Sequence, residues 1–221
     1  PAREVGGDLY QCFWRADDRL FLGVGDVAGK GVPAALMMAV ATTLIKAVAA
    51  TEPDPARVLR RVNRELCAID EELLFVTLIV AALAPADGEL LLGNAGHNPP
   101  LRVRADGDCE FLAVAPGLVL GVDPAVAYAT MRFRLAPGET LLLYTDGVTE
   151  AMSAAGECYG SKRLLDAVRG AGAATPRRLV DAVVAAVATH VGTADQIDDL
   201  TLLAVARLRA DTGSAEASPA P

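Results

Sequence analysis

The sequence predicts an α+β fold in which two mainly antiparallel sheets pack together with helix pairs on their outer faces. Three observations carry this. Apolar runs of strand length alternate with turn signals through the middle of the chain. Helical segments come in two pairs, one near each end. The order is strands, two helices, many strands, two helices, one strand, which is not the regular βαβ alternation of a doubly wound sheet.

PAREVGGDLYQCFW reads as a strand interrupted by glycines, and DDRLFLGVGDV as a turn followed by a buried strand. Val32 to Ala50 is a nearly continuous apolar run that starts at Gly31 and Pro33, a helix-start signal. By length it passes for a membrane span. Lys46 lies inside it and nothing else in the chain resembles it, so a core helix lying on a sheet is expected, with no membrane contact by this domain. Pro53 and Pro55 end that segment, and DPARVLRRVNRELCAID is a second, amphipathic helix with Asp54 as its N-cap. LLFVTLIVAALA and ELLLGNAG are strands joined by the turn PADG, and PLRVR is another. Short strands follow around Cys109–Ala113 and Tyr128–Leu135, and TLLLYTDG is a further buried strand. SKRLLDAVRGA and TPRRLVDAVVAAVATHV are helices, and DDLTLLAVARLR closes as a strand. The tail from residue 209 to 221 is small and polar, and disorder is expected there.

The 221 residues suffice for one domain with a real core, and 52% hydrophobic content is that of a globular chain. A net charge of -8 argues against a nucleic-acid partner, which wants a basic face. Cys12, Cys67, Cys109 and Cys158 are far apart and form no CxxC pair. Free thiols in a reducing cytoplasm are expected, and no signal peptide precedes the first motif.

Four aspartate positions share one setting, an apolar strand meeting a bend. Asp8 follows Gly6 and Gly7. Asp26 ends FLGVG. Asp146 ends TLLLYT and precedes Gly147. Asp198 and Asp199 open LTLLAVA. Taken singly, each is an ordinary turn residue. If the strand ends meet at one edge of a sandwich, the carboxylates converge, and converging carboxylates need cations. All-oxygen ligands select hard metals such as magnesium, manganese or calcium, and zinc is disfavoured with only His97 and His190 present. Two such ions about 3.5–4 Å apart would activate a water and neutralise phosphate oxygens.

Other phosphate chemistries fit less well. GDVAGKG lacks the first glycine of a Walker motif, having Val24 there, and has Gly31 where Ser or Thr should follow Lys30, so a tight strand-to-helix bend is the reading. Cys158 has an arginine shortly after it, Arg163, without a glycine-rich cradle. No GxSxG elbow is present. His97, crowded by glycine and proline in GNAGHNPP, either fixes its loop or assists proton transfer, the loop role being preferred.

EVGGDLY, GDVAGKGVPAALMMA, GNAGHNPPL, PGETLLLYTDGVTEA, ECYG and DDLTLLAV occur in this order, and together they resemble the SpoIIE/RsbU-like branch of the metal-dependent protein phosphatases, relatives of protein phosphatase 2C. The resemblance covers residues 1–208. It implies a four-layer α-β-β-α sandwich with two manganese or magnesium ions between the sheets. It implies Asp8, Asp26 with the Val27 carbonyl, Asp146 and Asp198 as ligands, Asp198 ranking above Asp199. It implies a phosphoserine or phosphothreonine substrate, usually on a STAS-domain anti-sigma factor antagonist, attacked by a metal-activated water. Arg3, five residues before Asp8, matches an arginine that binds substrate phosphate in relatives, and a strand-end arginine is the equal alternative. Gln11 stands where the family often has aspartate. The family's first strand usually begins before this chain does, so sensor or regulatory segments, even a membrane anchor, are expected upstream in a longer protein. A degenerate domain that only binds a partner is the competing reading. It should have lost ligand aspartates, and all four positions are filled.

Overall fold

A computed structural model describes residues 6–69, 74–194 and 198–209. Strands β1 (Asp8–Trp14) and β2 (Leu20–Val27) form a hairpin, followed by helices α1 (Val32–Ala49) and α2 (Pro55–Ile69). Strands β3 (Val76–Leu83), β4 (Glu89–Ala95), β5 (Leu101–Val103), β6 (Cys109–Phe111), β7 (Met131–Arg134) and β8 (Thr140–Tyr144) come next. Helices α3 (Asp146–Thr149), α4 (Gly160–Ala171) and α5 (Pro176–Val191) lead to β9 (Leu202–Ala206).

The strands form a five-stranded sheet ordered β1-β2-β3-β4-β7 and a four-stranded sheet ordered β6-β5-β8-β9. Every strand pair is antiparallel. Three apolar layers hold the four structural layers together. Leu9, Phe21, Leu78 and Val80 pack under α1 and α2. Leu22, Val24, Ile79, Leu141 and Leu143 fill the space between the sheets. Leu142, Tyr144, Leu164 and Val183 pack under α4 and α5. Strands β2 and β3 are apolar on both faces because each face meets one of these layers, which is why their sequences do not alternate.

Among the described residues, α1 is the one helix long and apolar enough to cross a membrane. Here it lies on the sheet, burying Ala34, Met37, Ala41, Ile45, Val48 and Ala49. Full burial of a side chain such as Ile45 contributes about 1.5–3 kcal/mol. Gly31, at φ +84°, makes the sharp entry into α1, and Pro33 fills its first turn. At the other end the buried Arg15 guanidinium donates to the carbonyls of Ala49 and, at 2.7 Å, of Glu52. It thereby ties the β1–β2 hairpin to the end of α1. Helix α2 is capped as expected, the Ala56 N–H donating to Asp54 Oδ1 at 2.9 Å. Residues 210–221 and Arg3 lie outside the described residues.

Candidate metal centre

Asp8 starts β1 and Asp26 is the penultimate residue of β2, and the antiparallel register sets them directly opposite each other. Strand alternation puts Asp26 on the face that Leu22 and Val24 turn toward the second sheet, and Asp8, as its cross-strand partner, shares that face. The Asp26 carboxyl is pushed up to about 7, first by burial and then by the charges of Asp8, Asp146 and Asp198. The Asp8 carboxyl is pushed up to about 6, chiefly by burial and also by the charges of Asp199 and Asp198, against hydrogen bonds from Thr201 and Thr145.

The second sheet supplies the other half. Strand β8 ends at Tyr144, and the Thr145 hydroxyl reaches across the sandwich to donate to Asp8 Oδ2 at 2.8 Å. Thr145 Oγ1 in turn accepts from the Thr201 N–H at 3.1 Å. Asp146 does not end a strand, as the sequence suggested. It opens the short helix α3, whose first turn leaves Thr145 in extended backbone. Asp198 and Asp199 precede β9 rather than open it, because pairing with β8 begins only at Leu202. The Asp198 carboxylate lies 3.7 Å from Lys30 Nζ and accepts the Asp199 N–H at 3.0 Å. Lys30 comes from the GKG bend, where Gly29 at φ +94° and Gly31 make the tight turn that the sequence predicted.

Three glycines act here through close approach rather than as turn residues. A Cβ on Gly147 would sit 1.9 Å from the Asp199 carbonyl oxygen. A Cβ on Gly7 would sit 2.5 Å from the Val27 carbonyl oxygen and 2.8 Å from Asp26 Oδ1, and one on Gly6 would overlap the Asp199 carboxylate. The motif glycines let the segments bearing Asp26 and Asp199 press against their neighbours.

Asp8 and Asp26 of the first sheet thus lie within reach of the charges of Asp146 and Asp198, which flank β8 and β9, and the Val27 carbonyl faces Gly7 beside Asp8. Asp199 joins them, its charge acting on Asp8 ahead of that of Asp198. Among the described residues no three His, Cys, Asp or Glu side chains are drawn together tightly enough to form a ready cage for an ion. The donor set nevertheless fits hard cations: it is all oxygen, it is crowded, and two of its carboxyls are held abnormally basic by burial and mutual charge.

His97 is buried, and its ring touches Thr77 and the Tyr144 carbonyl. The sequence offered no partner for it. All four cysteines are thiols outside any disulfide, and Arg163 donates to the Cys158 carbonyl rather than cradling its thiol. Thr145, Thr201, Thr77 and the approach role of the glycines were missed in the sequence, because their partners are distant along the chain.

Two antiparallel sheets between helix pairs, with aspartates of both halves at one end, are the architecture of the PPM-type phosphatases. The chain belongs to the SpoIIE family: the family described as Stage II sporulation protein E (SpoIIE) matches residues 16–208, which include Asp26, Asp146 and Asp198. The protein IcfG of Synechocystis is 29% identical over 94% of this chain and 37% of its own length. The phosphoserine phosphatase RsbU of Bacillus subtilis is 29% identical over 68% of this chain and 44% of its own. The chain therefore spans less than half the length of these curated relatives. The PP2C domain of SiaA from Pseudomonas aeruginosa superposes with a TM-score of 0.81 at 28% identity, covering 91% of this chain and 81% of that one.

Proposed function

We propose that this chain hydrolyses phosphoserine or phosphothreonine on a signalling protein, using two manganese or magnesium ions held by Asp8, Asp26, the Val27 carbonyl, Asp146 and Asp198. The observation that carries the reading is that carboxylates from β1, β2, α3 and the approach to β9 lie within reach of one another's charge at one end of the sandwich. Such ions, when bound, lower the pKa of water and offset phosphate charge. The chain's own part is to keep its carboxylates in place and partly dry. Thr145 orients Asp8 through its hydroxyl. The backbone of Asp199, packed on Gly147, fixes the approach to β9. Arg3 is assigned the substrate phosphate on resemblance alone.

The naming of RsbU as a phosphoserine phosphatase supports the reaction. A phosphorylated STAS-domain protein is the proposed substrate, on the family resemblance, and four thiols outside any disulfide fit a reducing cytoplasm. We assign α1 a gating role under an upstream sensor, because only a short bend separates Asp26 from the start of α1. The test is phosphate release from a phosphorylated STAS protein with manganese present. A folded, metal-loaded chain that releases phosphate from no seryl or threonyl phosphoprotein would favour a partner-binding module instead.

A further inference from the structure

His97 follows β4 in a tight loop, with Gly96 at φ +70°. Asn94 on β4 clamps that loop from both sides. Its Oδ1 accepts the His97 N–H at 2.8 Å and its Nδ2 donates to the His97 carbonyl at 3.0 Å. The ring is thereby held between the sheets. Its Nδ1 is 2.9 Å from Thr77 Oγ1 on β3, and its Nε2 is 3.1 Å from the Tyr144 carbonyl on β8.

The partners fix the tautomer. A carbonyl only accepts, so Nε2 carries the proton and donates to Tyr144. In the neutral ring Nδ1 is then an acceptor, and the Thr77 hydroxyl donates to it. Burial agrees, holding the imidazole down at about 4 and so neutral. The single Thr77 proton is committed to His97, and the Asp26 carbonyl, 3.5 Å from the same oxygen, is left as a neighbour.

Both partners lie next to the carboxylates. Thr77 is the cross-strand partner of Asp26 on β2. Tyr144 is followed by Thr145, which holds Asp8, and then by Asp146. We infer that His97 is a positioning residue, a strut between β3 and β8 that sets the distance between the Asp8–Asp26 pair and Asp146. It touches no carboxylate of the cleft in any hydrogen bond described. Its effect runs through Thr77 and Tyr144, and the inference rests on the metal-centre reading above. Groups bonded directly to a ligand typically carry 10- to 100-fold in metal affinity, and a strut one contact further out is expected at the low end of that range.

The test measures Mn2+ binding by calorimetry, beside hydrolysis of p-nitrophenyl phosphate. Thr77→Val keeps the shape of the side chain and removes the hydroxyl. His97→Leu removes both ring contacts. Thr77→Ser restores the hydroxyl, and His97→Gln offers an amide oxygen and an N–H at similar reach. Thr77→Val and His97→Leu are expected to weaken Mn2+ binding about 10-fold or more, with an equal rise in the Mn2+ needed for half-maximal activity. The KM for p-nitrophenyl phosphate should stay within about 2-fold, and the Ser and Gln variants should recover most of the affinity. Should His97→Leu fail to fold, Thr77→Val decides the matter. Parental Mn2+ affinity in a folded Thr77→Val chain would overturn the strut, whatever its melting temperature. A parent chain that binds no Mn2+ would overturn the metal reading and the strut with it.

Discussion

Asp8 and Asp26 stand face to face across the β1–β2 pair, two carboxylates in the closest relation that an antiparallel ladder offers. Burial raises the cost of ionising either, and neighbouring like charges add to it, those of Asp199 and Asp198 at Asp8 and that of Asp8 foremost at Asp26. Their carboxyls are pushed up to about 6 and about 7.

Removing one charge should stabilise the metal-free chain at neutral pH. A carboxyl whose folded-state pKa is raised favours folding below its unfolded value, and that stability is lost as pH rises through the folded value. For Asp26 the window runs from 3.8 to about 7. In chelator, Asp26→Asn should melt above the parent at about pH 8, with the difference shrinking toward about pH 4. His97 works with the opposite sign, costing stability as pH falls from 6.5 through about 4, but both chains carry it. A melting difference that does not change with pH would rule out the Asp26 charge as the cause.

Turnover should depend on metal. Chelation should abolish phosphate release, and manganese or magnesium should restore it. Asp26→Asn and Asp146→Asn should each lose activity on the order of 100-fold or more while circular dichroism stays native, since small displacements at a reacting centre already cost that much. Near-parental rates at saturating metal would remove these two residues from the ligand set.

Gly147 and Gly170 make a matched pair. An added Cβ at Gly147 meets the Asp199 carbonyl oxygen at 1.9 Å, whereas at Gly170 in α4 it meets nothing within 4 Å. Gly147→Ala should therefore shift the 198–199 segment and lower activity about 10-fold or more. Gly170→Ala should leave activity alone and stabilise by about 0.5–1 kcal/mol. Equal activity in the two variants would show that the Gly147 contact has slack.

Gating by α1 predicts that this chain alone and a form carrying the proposed upstream sensor differ in rate on a phosphorylated STAS partner, and in manganese affinity. Parity in both measurements would leave α1 as a fixed core helix.

The two helix pairs and the buried strands were legible because their signals are local. The run from Val32, the Asp54 cap and the LFLGVG strand each state their structure within a few residues. Asp146 was misread as a strand end because Thr145, which could have capped α3, instead sends its hydroxyl to Asp8. Gly6 and Gly7 read as interruptions of a strand and Gly147 as part of an Asp-Gly turn, since a close approach is invisible until the approaching backbone is known. His97 showed no partner for the same reason: Thr77 and Tyr144 are 20 and 47 residues away. Local patterning wrote the scaffold, and the site arises from contacts that only tertiary structure creates.

The carboxylates are divided between the first sheet, which carries Asp8 and Asp26, and the segments that follow β8 and precede β9 of the second, and the two sheets otherwise meet mostly through apolar side chains. An ion bridging that division would act as a rivet, and its occupancy would be coupled to the integrity of the whole sandwich. A ligand present at about 100 times its dissociation constant adds about 2.7 kcal/mol to a folded state that alone binds it. Scarcity of the ion would then act twice, slowing each molecule and shortening its lifetime against proteolysis. The amount of working protein in a cell, and not only its rate, would follow the supply of a single nutrient.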